Sequence, residues 1–310
     1  MKTVKERRCQ AGVALVIVLW LLVLLSVMAF GFSRSMRSGV RIGLHRLEAL
    51  QATELARAAI HKGLYDLLTM PPGQRYRLLL PGREQRFTLD GAELAYRIED
   101  ERGKVDLNRA PAELIGGLLG SLELPPERTA SLSDAILDWR DSDDARRLNG
   151  AEGADYAAAG RPGLPPDRPF PSVQELQQVL GMDDLLYRRL LPLVTVHGID
   201  GRINPLTAPR QVLLAIPEAD PADVDEAVAQ RGTASTGDPA PPLASLAGLG
   251  RWLARASGPV YTVTGRARLP SGAVTHRRMV IWLGGRGGGR GYRVLDWFPR
   301  GSWEPRREGE

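Results

Sequence analysis

Hydrophobic and polar positions follow three different rhythms along this chain. Between Arg8 and Arg34 there are 25 consecutive residues without a formal charge, directly behind a basic leader, MKTVKERRCQAG. As a helix rising ~1.5 Å per residue this run reaches roughly 37 Å, more than the ~30 Å hydrocarbon core of a bilayer. Past Ser33 the apolar positions thin to a stripe (Leu44, Leu47, Leu50, Leu55, Ala59, Ile60, Leu64) at helical spacing, with no proline before Leu68. The pattern predicts one unbroken helix from Gly12 to near Leu68, apolar all round in its first half and amphipathic in its second.

The second rhythm is alternation. Phe87 and Leu89 lead into the turn pair Asp90-Gly91, then Ala95, Tyr96 and Ile98 follow. A similar texture returns only near the C-terminus, in VYTVTGRARLPSGAVTHRRMVIWLGG, where Leu269-Pro270-Ser271-Gly272 marks a hairpin turn, and in YRVLDWF at 292–298. Strands on both sides of a long middle predict an antiparallel sheet with an insertion, packed on the amphipathic half of the N-terminal helix. A lone hairpin cannot bury its apolar face.

The middle, about 105 to 250, has the third rhythm. Short helical patterns are punctuated by Pro and Gly, and the first β-branched run is Leu193–Val196. It also contains a repeat: VDLNRAPAEL from Val105 lines up with INPLTAPRQV from Ile203. Asn or Thr can cap a helix and Pro suits its first turn. The repeated element resembles the helix-hairpin-helix class of small helical modules, some of which bind the DNA backbone.

Three readings of the apolar run are open from the segment itself. A cleaved secretory signal has a basic n-region and an apolar core of ~7–15 residues, shorter than this one, and a small-residue exit that is missing here. A plain signal anchor fits the length. A prepilin-type leader, cut after Gly12 so that the helix is retained, fits a basic stretch ending in Gly. Charge does not orient the span, because Lys2, Lys5, Arg7 and Arg8 before it are matched by Arg34, Arg37, Arg41 and Arg46 after it. The one cysteine, Cys9, lies in the leader without a lipoprotein context. A chain beginning at Val13 would contain no disulfide and would rest on core packing or a metal.

Charge separates the candidate functions. The net +5 of the 310 residues is carried by the two ends, whereas residues 105–200 hold nine Arg, no Lys and sixteen Asp plus Glu. Such an acidic module is poorly suited to phosphate binding, which needs a basic footprint. Within it lies the densest chemistry of the chain, Asp138, Asp141, Asp143, Asp144, Glu152 and Asp155, at the end of a helical pattern and in a Gly-rich loop. Six carboxylates within eighteen residues can hold a hard cation through oxygen ligands, without EF-hand spacing. Equally, they can form a solvated loop paired with Arg140, Arg146 and Arg147. The four histidines (His45, His61, His197, His276) are scattered, no nucleophile accompanies them, and the Gly/Arg stretch 284–291 precedes a strand rather than a helix. Nothing here predicts an enzyme.

Together the leader-plus-helix QAGVALVIVLWLLVLLSVMA, the segment GKVDLNRAP, the stretch AILDWRDSDD with NGAEGADY, the segment PFPSVQELQQVLGM and the terminal VLDW resemble the K-type minor pseudopilins of bacterial type II secretion systems. The resemblance covers nearly the whole chain. It implies an α+β, pilin-like fold of one long N-terminal helix and a small antiparallel sheet, with a large helical domain inserted into the sheet. On that reading the divisions are a prepilin leader (1–12), a transmembrane and amphipathic helix (13–68), the first part of the sheet (69–104), a helical insertion with helix-hairpin-helix or SAM-like elements (105–250), the second part of the sheet (251–299) and a tail (300–310).

The resemblance also implies cleavage by a prepilin peptidase between Gly12 and Val13, methylation of the new amine, and a single-pass protein of the inner membrane with its C-terminal domain in the periplasm. It implies a subunit at the tip of the pseudopilus, with I- and J-type minor pseudopilins and, through them, the H-type and major subunits, the assembly platform and possible contact with exported proteins, and no nucleic acid. Structural Ca²⁺ at Asp138, Asp141, Asp143, Asp144, Glu152 and Asp155 is a further implication. Ordinary pseudopilins carry Glu at the fifth mature position, where this chain has Ile17. A subunit without that carboxylate cannot accept an ammonium from a subunit above it, because unpaired charge in lipid is costly. The competing expectation is a membrane-tethered helix-hairpin-helix protein that captures DNA.

Overall fold

The computed structural model describes residues 10–71, 75–233, 243–284 and 291–298. Helix α1 runs unbroken over Gln10–Thr69. Cys9 and the rest of the leader before Gln10, and the tail after Phe298, lie outside the described residues, as does most of the Gly/Arg stretch.

The second half of α1 lies on a five-stranded antiparallel sheet formed by β1 (Gln85–Leu89), β2 (Ala92–Asp100), β5 (Val260–Arg268), β6 (Val274–Leu283) and β7 (Tyr292–Phe298), in that spatial order. Alternation puts Leu94, Tyr96 and Ile98 of β2 on the helix side. Val263 of β5 and Met279 and Ile281 of β6 join them, against Ala56, Ile60 and Leu67 of α1. Small residues bring the two layers close. A Cβ on Gly265 would sit 2.2 Å from the Ala56 carbonyl oxygen, so only glycine allows this approach. Asp90 and Gly91, both at positive φ (50° and 76°), make the β1–β2 turn that matches strand twist.

Between β2 and β5 the chain leaves the sheet and builds a separate helical core. It contains β3 (Val105–Asp106), α2 (Ala112–Gly120), α3 (Pro126–Arg140), α4 (Gly153–Ala158), α5 (Asp184–Leu190), β4 (Val194–Thr195), α6 (Arg210–Leu214) and α7 (Pro221–Thr233). The sequence repeat is a repeat of geometry. Asp106 Oδ1 accepts from Asn108 N at 2.7 Å, and Asn204 Oδ1 accepts from Leu206 N at 3.2 Å. Each turn then enters a helix at Ala-Pro. The turns are closed by arginines from later helices: Arg140 donates to the Leu107 and Ala110 carbonyls (2.6 and 2.8 Å), and Arg231 to those of Pro205 and Ala208 (2.9 and 2.6 Å). Each half also closes on a short parallel pairing, β3 with β4 and Ile203 with Leu253. The halves meet where Gly117 of α2 passes the Ala215 carbonyl so closely that a Cβ would lie 2.0 Å from it.

Sheet and insertion join through buried polar groups. Lys104 is 5% exposed and its Nζ contacts Glu101 Oε1 at 2.8 Å and Glu99 Oε2 at 2.7 Å. Glu101, 3% exposed, also accepts from Thr262 of β5 (2.6 Å) and from the hydroxyl of Thr195 in β4. One carboxylate thus holds both units. Beside it Asp100 accepts from Asn204 Nδ2 (2.7 Å), Thr207 Oγ1 (3.1 Å) and the backbone amides of Arg102 and Gly258. Burial opposes ionisation of Glu101, but the charges of Lys104 and Arg278 and the bonds from Lys104 and Thr195 hold its carboxyl down at about 2. Removing one partner of a buried pair strands the other, at about 3–5 kcal/mol. Lys104→Ala is therefore expected to lower the unfolding free energy of the full chain by that amount in denaturant titration, and a loss under 1 kcal/mol would show that the junction is not the keystone. Because the folded-state value of Glu101 lies below the ordinary 4.5, its contribution is complete above that pH and lost as pH falls toward about 2. Glu101→Gln should flatten that acid limb.

Candidate metal site

The first half of the insertion carries the acidic loop, and an aromatic stack supports it. Trp139 near the end of α3 is fully buried, stacks on Phe170 at 5.7 Å and meets Tyr156 edge-on at 5.9 Å. Asn108 holds the Phe170 backbone from both sides, donating to its carbonyl at 2.9 Å and accepting from its amide at 2.7 Å. The repeat turn, α3 and the loop around Phe170 are thereby fixed together, and the helix periodicity that buries Trp139 places Asp138 and Asp141 beside the loop.

The predicted carboxylates separate into different roles. Asp144, Glu152 and a residue outside the predicted set, Asp167, converge, with oxygens within 4.8 Å of one another. Asp138 is completely buried, and Arg147 lies between it (3.3 Å) and Asp141 (2.9 Å). Asp143 accepts from the Ala145 amide. Asp155 supports the start of α4, accepting from the Glu152 amide at 3.0 Å and pairing with Arg146 at 3.2 Å. Asp134, also outside the predicted set, fastens the loop by accepting from Asn149 N and Nδ2.

Several oxygens in this cluster are buried without a hydrogen-bond partner: both of Glu152, Oδ1 of Asp141 and Oδ1 of Asp167. A buried acceptor left unpaired costs about 1–3 kcal/mol. Burial, reinforced by Asp138, Asp167, Asp141 and Asp144, pushes the Glu152 carboxyl up to about 7. Asp138, Asp141 and Asp167 are also raised, in each case chiefly by burial. Carboxylates that repel one another around orphaned oxygens are compensated by a bound cation, by an Arg or by a retained proton. The group offers oxygen only, with neither His nor Cys, which suits a hard ion such as Ca²⁺ rather than zinc.

The other predicted positions fall elsewhere. Gly12 and Val13 lie in α1. Ile17 is 57% exposed, in a run where the large side chains from Leu15 to Phe30 are all at least half exposed. Among the described residues no helix is long and apolar enough to cross a membrane; the described side chains from Ala14 to Phe30 account for about 25 Å of helix. His45 and His276, far apart in sequence, line one cleft of about 560 Å³ between α1 and the start of β6, together with Glu48, Thr53, Thr275 and Arg277.

Comparison with known proteins extends these observations. Residues 92–198 match a family model described as "Type II secretion system (T2SS), protein K". The chain is 31% identical over 229 residues to the type II secretion system protein K of Klebsiella pneumoniae, spanning 66% of this chain and 69% of that one. It is 30% identical over 246 residues to the protein of the same name from Pseudomonas aeruginosa, spanning 73% and 74%. Its fold is similar to a chain in the crystal structure of the GspK–GspI–GspJ complex from enterotoxigenic Escherichia coli, with a TM-score of 0.60, 19% identity and coverage of 82% of this chain and 97% of that one. These likenesses place the chain among the minor pseudopilins of type II secretion systems. Within that class it belongs to the protein K family.

In metal-free protein the cost of ionising Glu152 is absent below its ordinary 4.5 and complete above about 7. The chelated chain is therefore expected to melt higher at pH 5.5 than at pH 8, and Glu152→Gln should remove most of that difference. Equal pH slopes for both proteins would show that the cluster is already compensated within the fold.

Proposed function

We propose that this protein K family member caps the tip of a periplasmic pseudopilus, in a complex with I- and J-type minor pseudopilins and, through them, the H-type and major subunits. The observation that carries the reading is the place of the insertion. The cleft residues His45 and Thr53 of α1 face the β5–β6 turn, Ala56 faces Gly265, and Asp66 bonds the Tyr96 hydroxyl further along. The sheet thus rises along α1 away from the apolar run, and the insertion leaves β2 at its upper end. A subunit with that bulk above its sheet is ill placed to receive another on top. Ile17, where the assembly carboxylate is missing, adds to the argument.

In this reading α1 is held by the inner membrane through a run that is apolar on every side, as a helix surrounded by lipid must be. The sheet, built against α1 as in a pilin, and the insertion lie in the periplasm. Prepilin peptidase cuts between Gly12 and Val13, and the assembly platform takes up the helix. Ca²⁺ sits in the acidic loop, with Asp144, Glu152 and Asp167 nearest to one another and Asp138 and Asp141 behind them. It pins a loop that no disulfide holds. The acidic insertion argues against DNA capture.

The mature chain isolated from its host should have the mass of a product beginning at N-methylated Val13; an intact Met1 terminus would refute the processing. Chelation should lower the melting temperature and added Ca²⁺ restore it, with an unchanged curve counting against the metal. Co-expressed I- and J-type subunits should co-purify with the chain, and failure of both to do so would remove the tip assignment.

A further inference from the structure

The insertion carries an open groove of about 450 Å³ between the outer faces of α2 and α3, with Leu124 and Pro126 at one end. Its walls are small: Gly116 and Gly120 on α2, Ala130 and Ser133 on α3. Three of the nine residues of α2 are glycine, the residue that costs a helix most after proline. Gly117 is explained by the Ala215 carbonyl that it passes. The other two have no such reason within the fold. A Cβ on Gly120 would meet nothing within 4 Å, and one on Gly116 would be in ordinary contact, 3.6 Å from Ser133 Oγ. What these glycines leave bare is backbone that faces the groove.

The polar groups point the same way. Ser133 is 8% exposed and lines the groove, and its hydroxyl has no hydrogen-bond partner among the described residues. Thr129 Oγ1, in the same wall, is buried without a partner as well. At the far end Asn149 lines the groove, and beside it in the chain Leu148 is 90% exposed, more than any other large apolar side chain described. The rim is acidic. Helical spacing puts Glu113 on the stripe of Gly116 and Gly120, and Glu127 on that of Ala130 and Asp134. Glu123 stands in the turn between the two helices, and all three glutamates are exposed, without an ion pair among the described residues. Asp134 is met by the neutral Asn149 alone. Of the arginines nearby, Arg128 projects from the opposite side of α3 to Asp183, and Arg189 bonds the Leu122 carbonyl. Arg109, exposed ahead of α2, leaves the carboxylates in excess.

We propose that this groove is a docking site for an α-helix of another protein, one with small residues toward the groove and lysine or arginine along its flanks. A trough between two helices is the shape that a third helix fills, and bare backbone on the walls allows a close approach. An extended segment suits it poorly. Such a segment needs partners for its own amides and carbonyls, and those along α2 and α3 are already paired within their helices. A helix arrives with its backbone satisfied, and the Ser133 hydroxyl is left for one side chain or carbonyl on it. Nucleic acid is repelled by the carboxylates that attract a basic helix. Every lining residue belongs to the insertion, so the site does not depend on the tip assignment.

The probe is an Ala/Lys peptide of about 20 residues, long enough to be helical in water, titrated into the full chain in neutral detergent. An Ala/Glu peptide of equal length and an Ala/Lys peptide broken by a central proline run beside it. Wild type should bind the intact Ala/Lys helix at least tenfold more tightly than either. G116A/G120L should weaken that binding at least tenfold while its melting temperature stays level or rises, because neither new side chain meets the fold. E113K/E127K, at exposed positions, should exchange the preference from Ala/Lys to Ala/Glu. Absence of binding by wild type, equal binding of the proline-broken peptide, or undiminished binding by G116A/G120L overturns the proposal. So does self-association of the chain in light scattering that G116A/G120L abolishes, since it would assign the groove to a second copy. Co-purification with I- and J-type subunits is scored separately, so failure of the tip assignment is distinguishable from failure of this groove.

Discussion

Everything above the sheet depends on one buried ion pair. Lys104 and Glu101 are withdrawn from water at the point where the chain leaves the sheet, and an isolated charge there would be intolerable. The pair survives because both oxygens of Glu101 and a second carboxylate beside Lys104 find partners from different units: Thr262 from the sheet, Thr195 from the insertion, Glu99 from β2. Apolar packing at the same place could be as stable, yet it would tolerate sliding, whereas charged hydrogen bonds demand one alignment. The insertion is thus aimed as well as attached, which a domain placed at a filament end requires.

The two halves of the insertion show how one plan took on two tasks. Both use an Asx turn, an Ala-Pro helix start and an arginine that returns to close the turn. The first half interposes a long acidic loop between its second helix and the Val173–Gln178 3₁₀ turn; in the second the stretch between α7 and its counterpart at Ala244–Leu249 is short and holds one carboxylate, Asp238. The aromatic stack of Trp139, Phe170 and Tyr156 belongs to the half that has the loop. It gives a poorly structured, negatively charged segment a rigid floor, against which orphaned oxygens gather in one place.

Much of the architecture was legible because it is periodic. α1, the β1–β2 hairpin and the β5–β6 hairpin follow from the spacing of apolar residues and from Asp90-Gly91 and Leu269–Gly272, and the repeat is visible as matched letters. What stayed hidden lacks a period. Glu101 and Lys104 sit in EDERGK, which reads as a solvated turn until Thr195 and Thr262 arrive from distant positions. Arg140 and Arg231 play the same part but do not share the offset of their turns, because the helices between turn and arginine are longer in the first half than in the second. Asp167 reaches the carboxylate cluster at positive φ from a proline-rich stretch, and its one trace in sequence is a lone acid among prolines. Asp155, by contrast, looked like a member of the cluster and is occupied with starting α4.

The register Asp100 with Tyr261 makes the insertion a closed excursion. The two central strands of the sheet are separated in sequence by the whole helical domain, so their pairing is among the most non-local contacts of the chain. Closing so long a loop costs entropy that grows with the logarithm of its length, and a loop already condensed into a compact body costs far less than a free one. A helical domain that condenses first therefore lowers the cost of bringing β2 and β5 together, and its compactness sets how readily the sheet on α1 can close.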